Sequence, residues 1–154
     1  IEPYDPIGEM NLNTRKLDLA PDRTKLFTAM IHAPIVERIN IKDLTTTQFF
    51  IGKYIPDKEY KLSDFNNKEL PEYFLDIYVT DKFIYLLESE NSPLNSDAGQ
   101  RIKVLDWSGN PVSQYEISDE YGLDWLVVDE ADNMFYGLSW DSDSIFRFDY
   151  SEAS

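Results

Sequence analysis

The chain has 154 residues and a mass of 18.0 kDa, 42% hydrophobic and 14% aromatic, enough for one domain with a buried core. Fourteen Lys and Arg against 29 Asp and Glu leave a net charge of −15 and a pI near 4.3, a field that repels nucleic-acid phosphates and anionic lipid headgroups. No window approaches the ~20 apolar residues of a membrane span, and the absence of cysteine removes disulfides, thiolate metal sites and cysteine nucleophiles together.

The first residue is Ile1 and no basic-then-apolar leader precedes Glu2–Pro6, which reads as a processed chain or a fragment. Beyond it, short runs of β-branched and aromatic residues alternate with Asp, Asn, Gly and Pro clusters, so the chain is expected to be all-β. Innermost strands are expected near Lys16–Ala20, Leu75–Val79 and Trp125–Val128. Second strands are expected near Lys25–Ile31, Phe83–Glu88 and Met134–Ser139, and fourth strands at Thr47–Ile51 and Pro111–Ile117. The polar, weakly periodic stretch Lys58–Tyr73 reads as a long connection with one helical turn ended before Pro71.

The third strands carry a repeat. Arg38–Asp43 matches Arg101–Asp106, and both match Ser144–Asp149, at offsets of 63 and 43 residues. Upstream of each copy runs a strand with Leu-Asp (Leu17-Asp18, Leu75-Asp76, Leu123-Asp124), then an acidic turn, then an aromatic strand. A unit of ~40–50 residues with four strands is the size of a propeller blade. The expected units are about 15–52, 73–118 and 121–150, within one partial domain over 1–154 and with a connection at about 53–72. Only Ser151–Ser154 follow the third strand of the last unit, so that unit lacks an outer strand. This reads as the end of a ring whose missing strand comes from elsewhere.

Three segments, Tyr78–Leu87, Ile102–Pro111 and Leu126–Tyr136, resemble six-bladed TolB-like β-propellers and, within them, the propeller lipoproteins of Bacteroidetes. The Asp106-x-x-Gly109-Asn110 hairpin also recurs in the related NHL and YWTD classes. The resemblance covers roughly residues 15–150. It implies an extracytoplasmic protein, in the periplasm or as an outer-membrane lipoprotein, that binds proteins or ligands on one face. It also implies about three four-stranded antiparallel blades, half of a six-bladed ring. The remainder of the ring would then come from a missing half or from a second copy that closes it.

Candidate binding residues fall on the loops between second and third strands and at the entry to the last inner strand. His32, the only histidine, can serve as a base or a ligand, though a polar loop residue is the ordinary reading. The loop 89–100 is polar, without periodicity, and contributes Asn91 and Asn95. Trp140 can stack on a sugar or a partner side chain, or wedge between blades. Beside it, Asp141 and Asp143 at i, i+2 can share Ca²⁺, but the EF-hand glycine and glutamate are absent, and a solvated hairpin tip is the plainer account. Tyr121, Asp124 and Trp125 lead into an innermost strand. Asp124, with Asp76 and Asp18, either rings a channel mouth as a cation site or caps neighbouring backbone amides.

No Gly-x-Ser-x-Gly elbow or phosphate-cradling glycine loop is present, with six glycines in all. The reading that follows is a non-enzymatic binding scaffold without a cofactor, holding a protein, peptide or glycan on its loop face. The alternative is a Ca²⁺-dependent propeller hydrolase or lactonase with the ion held by Asp141, Asp143 or Asp124.

Overall fold

A computed structural model describes residues 14–52, 71–94, 99–118 and 120–151. Every regular element among them is a β-strand. The first sheet holds β1 (Arg15–Leu19), β2 (Lys25–Met30), β3 (Ile35–Asn40) and β4 (Thr46–Phe50) in that order. The second holds β5 (Phe74–Val79), β6 (Phe83–Glu88), β7 (Gln100–Asp106) and β8 (Pro111–Ile117). The third holds β9 (Trp125–Asp129), β10 (Met134–Ser139) and β11 (Ser144–Asp149). All pairings are antiparallel between sequence neighbours.

The sheets touch through their first strands, β1 against β5 and β5 against β9. Meanders whose first strands meet while their faces stack are the blades of a β-propeller, and three are present: two of four strands and one of three. The expected helical turn within Lys58–Tyr73 falls on a stretch that, up to residue 70, lies outside the described residues.

Side-chain alternation explains how the blades stack. In β2, Phe27 and Ala29, with Val36 beside them on β3, turn toward blade 2, where Ile77, Val79, Ile84 and Leu86 complete a first core. In β6 the next residues, Tyr85 and Leu87, turn the other way and join Ile102, Val104, Leu126, Val128 and Phe135 in a second core. A strand buried on both faces has no polar side to show, so β6 reads as the unbroken run Phe83–Leu87, whereas β9 and β11 alternate. Phe27, Phe74 and Phe135 are fully buried, and truncating any of them to Ala carries the ~3–5 kcal/mol of an emptied aromatic site.

The structure corrects the register of the repeat in blade 1. The residue opposite the start of each second strand is Asn40 (facing Lys25), Asp106 (facing Phe83) and Asp149 (facing Met134). Each closes the same turn by accepting the N–H two residues on: Lys42 at 3.0 Å, Ser108 at 2.8 Å and Ser151 at 2.9 Å. Asn40, not Asp43, is therefore the equivalent of Asp106, three residues earlier than the sequence match suggests. Asp43 makes its own Asx turn with Thr45.

The joints between blades are wedged and clamped. Trp107 packs on Phe27 of blade 1 (centroids 5.6 Å apart), donates its indole N–H to Thr80 O and receives Arg38 Nη1 on its carbonyl at 2.7 Å. Gly109, at φ +84°, lies so close to Phe49 that a Cβ there would stand 2.5 Å from the ring. At the second joint, Glu130 of blade 3 accepts from Thr80 (2.8 Å) and Tyr85 (2.9 Å) of blade 2. Burial and that carboxylate push the Tyr85 phenol well above its usual range. The buried Gln100 amide grips Leu123 from both sides, accepting its N–H at 2.6 Å and donating to its carbonyl at 2.7 Å.

The outer faces of blades 1 and 3 have no blade against them among the described residues. They show Leu17, Leu19 and Phe50 at one end of the stack and Val127 and Ile145 at the other, all exposed. Replacing Gln100 with Leu strips two buried backbone groups of their partners, at about 1–3 kcal/mol each. Urea unfolding of the Gln100→Leu variant is expected to show a loss of ~2–4 kcal/mol, against less than about 0.5 kcal/mol for Gln114→Leu on the exposed face of β8.

Candidate functional site

The first strand of each blade is an edge strand with one row of backbone groups unpaired within its own sheet. Asp18 of β1 answers this in the next blade by accepting the N–H of Val79 at 2.7 Å, and Asp76 of β5 repeats the device on Leu126 N–H at 2.8 Å. Of the two alternatives open for these carboxylates, the geometry shows them capping backbone amides. The bonds join blade to blade. Burial holds the Asp76 carboxyl above its ordinary value, opposed by the amides of Leu126 and Ile77 and by Lys16.

The three Leu-Asp pairs do not occupy one register. Counting from the start of the second strands, Asp18 lies opposite Phe27, two residues in, while Asp76 lies opposite Leu87, four residues in. The positions level with Asp76 are Lys16, opposite Ala29, and Trp125, opposite Leu138. Asp124 precedes its strand and bonds within blade 3, its Oδ2 accepting the Trp140 N–H at 2.6 Å. In the other blades the residue equivalent to Trp140 bonds to main chain instead, Ile31 N–H to Thr14 O and Ser89 N–H to Tyr73 O. Substituting a side-chain acceptor there goes with an indole turned out to solvent, 73% exposed, which is no wedge between blades.

These positions converge on a cleft of about 250 Å³ at the end where the inner strands begin. Blade 3 supplies Asp124, Trp125, Trp140 and Asp141, four of the residues singled out in the sequence. Lys16 and Ile31 of blade 1, with Glu72 at the entry to blade 2 and Leu75 on β5, complete the lining. The two indoles meet at 5.7 Å and 59°, a corner and not a flat platform, and Lys16 Nζ lies over the Trp125 ring at 5.6 Å. The wall thus carries three carboxylates and one ammonium.

The other candidates lie elsewhere. His32 stands next to the cleft residue Ile31, its Nδ1 3.0 Å from Pro71 O, where it ties the blade 1 loop to the entry of blade 2. Asn91 is exposed, its backbone N–H held by Ser89 Oγ at 3.2 Å, and Asn95 lies outside the described residues. Tyr121 packs on Phe146 and Phe148 at 4.8 and 5.1 Å, against the face of blade 3. Asp143, at φ +48°, closes the turn that starts at Trp140, its N–H 3.4 Å from Trp140 O. Among the described residues no three His, Cys, Asp or Glu side chains cluster closely enough to hold a metal ion. Lys16, Ile31, Glu72 and Leu75 were not singled out in the sequence. Their signal is register, since Lys16 becomes a neighbour of Trp125 only once the strands are aligned by their partners.

No family model and no curated protein matches the sequence. Among solved structures, the chain is similar to the extracellular domain of BT4673 from B. thetaiotaomicron, described as a one component system. There it matches at 15% identity and a TM-score of 0.48, over 80% of this chain and 13% of that one. It is also similar to the WD40 domain of Neurospora crassa Pan2, at 10% identity and a TM-score of 0.32, over 94% of this chain and 53% of that one. The chain thus spans a small part of the first of these and about half of the second.

Because Asp76 binds its proton more tightly folded than unfolded, its contribution to stability grows as pH falls through its raised pKa toward the ordinary value of 3.8. Asp106 and Asp149 shift the opposite way through their hydrogen bonds to Asn110 and Ser151, and they contribute alike to wild type and to an Asp76 variant. The stability of wild type relative to Asp76→Asn is therefore expected to rise between pH 7 and pH 4, read by chemical denaturation at each pH. A difference that is flat or falls toward acid contradicts the burial of this carboxylate.

Proposed function

We propose that the chain is an extracytoplasmic, non-enzymatic binding scaffold that holds a protein, peptide or glycan partner at the mouth formed by its inner strands. The compartment follows from the resemblance of Tyr78–Leu87 and the two related segments to TolB-like propeller lipoproteins. The observation that carries the binding reading is the Trp125–Trp140 corner, with one indole largely exposed beside a cleft that three blades build. An exposed large aromatic side chain in a recess offers contact area at small entropic cost, the usual makings of an anchor for a partner. The uncovered apolar faces of blades 1 and 3 support a second element of the reading, that further blades cover them, supplied by another segment or by a second copy.

Trp125 and Trp140 are two of the three tryptophans, so intrinsic emission reports on the cleft. Partner binding is expected to shift that emission and to weaken at least about ten-fold in Trp140→Ala, the ~1.4 kcal/mol scale of a modest anchor. A partner that binds Trp140→Ala as well as wild type contradicts the reading. Ca²⁺ raising and EDTA lowering the melting temperature, together with lactone hydrolysis, would favour the hydrolase instead.

A further inference from the structure

Resting on the reading of the cleft as a binding site, we infer that its ligand is a guanidinium group, the side chain of an arginine on a partner peptide. Size is the first argument. At about 250 Å³ the cleft falls below the ~300–1,000 Å³ of pockets that enclose whole small molecules, and it suits one side chain better than a sugar chain. Shape is the second. The two indoles at 59° form a corner, whereas a pyranose stacks on one open ring face. A planar cation can lie on one indole while its edge turns to a carboxylate.

Charge is the third argument and decides the sign. Asp124, Asp141 and Glu72 outnumber Lys16 on the cleft wall, and the chain as a whole carries −15, so an anionic ligand is repelled from a distance and again on arrival. The site already holds a cation on aromatic carbon, since Lys16 Nζ lies 5.6 Å from the Trp125 centroid. Trp140, at 73% exposure, is the ring left for a second cation. Arginine fits better than lysine because its fork can pair with a carboxylate while its plane stacks.

The test uses the intact chain with three probes: acetylated tetra-arginine amide, tetraglutamate and a neutral tetrasaccharide, each read by tryptophan emission and by calorimetry. Saturable binding of tetra-arginine alone is expected. It should weaken at least about five-fold in Trp140→Ala, a substitution that leaves the charge unchanged, and weaken in Asp141→Asn. It should tighten in Lys16→Met and change less than about two-fold in Glu116→Gln, a carboxylate on β8. Equal binding to wild type and Trp140→Ala would mean a diffuse attraction to the acidic surface and would overturn the inference. Trp140-dependent binding of the tetrasaccharide or tetraglutamate without tetra-arginine would overturn the guanidinium while leaving the cleft a binding site. Silence from all three probes also overturns the guanidinium, whereas the binding reading falls only to a partner indifferent to Trp140.

Discussion

A carboxylate on one inner strand that accepts a backbone N–H of the next is the contact on which the rest of this arrangement depends. Apolar burial presses the blades together, but it is non-directional and leaves neighbouring sheets free to slide. Asp18 on Val79 and Asp76 on Leu126 remove that freedom, because each ionised acceptor fixes the height of one strand against the next at a single residue. They also satisfy amides that an edge strand leaves without a partner in its own sheet. Burial of Asp76 carries a desolvation cost, visible in its raised pKa, and the amides of Leu126 and Ile77 offset part of it.

The height set by these bonds determines what meets at the mouth. With the strands so aligned, Lys16, Asp76 and Trp125 fall on one level of three blades, and the long Lys16 side chain reaches the Trp125 ring. Above that level, Asp124 takes the Trp140 amide that main chain takes in the other blades, and the indole swings out beside Asp141. The cleft is thus a consequence of blade alignment plus one departure from the repeat. Its two indoles and two of its three carboxylates belong to blade 3, the third carboxylate, Glu72, stands at the entry to blade 2, and its single ammonium comes from blade 1.

Much of this architecture is legible in the sequence because strands buried on one or both faces write different patterns. The unbroken run Phe83–Leu87 marks the middle of the stack, and the bounds of β6, β8 and β10 coincide with those read from the chain. What misled was similarity of residue type without register. Arg38–Asp43 looks like Arg101–Asp106, yet β3 ends at Asn40, so the true equivalence is set by cross-strand pairing and by a turn acceptor that Asn supplies as well as Asp. The Leu-Asp pairs slipped for the same reason: Asp18 and Asp76 stand equally far in sequence from their second strands, but the first turn, closed by Ala20 on Lys25, is longer than the second, closed by Thr80 on Phe83, so the two fall at different registers. For the site, loop position alone pointed to Trp140 and Asp141, and strand entry to Asp124 and Trp125. Nothing in the sequence marks Lys16 and Leu75 as site residues, and they become so only by placement.

The stitching of blade to blade is tested most directly by residue-resolved amide hydrogen exchange on wild type, Asp18→Ala and Asp76→Ala. The account predicts slow exchange at Val79 and Leu126 in wild type, with Asp18→Ala releasing Val79 and Asp76→Ala releasing Leu126 while the amides inside β6 keep their protection. Unchanged exchange at Val79 and Leu126 in the respective variants would contradict it, since the two amides would then owe their protection to something other than the carboxylates.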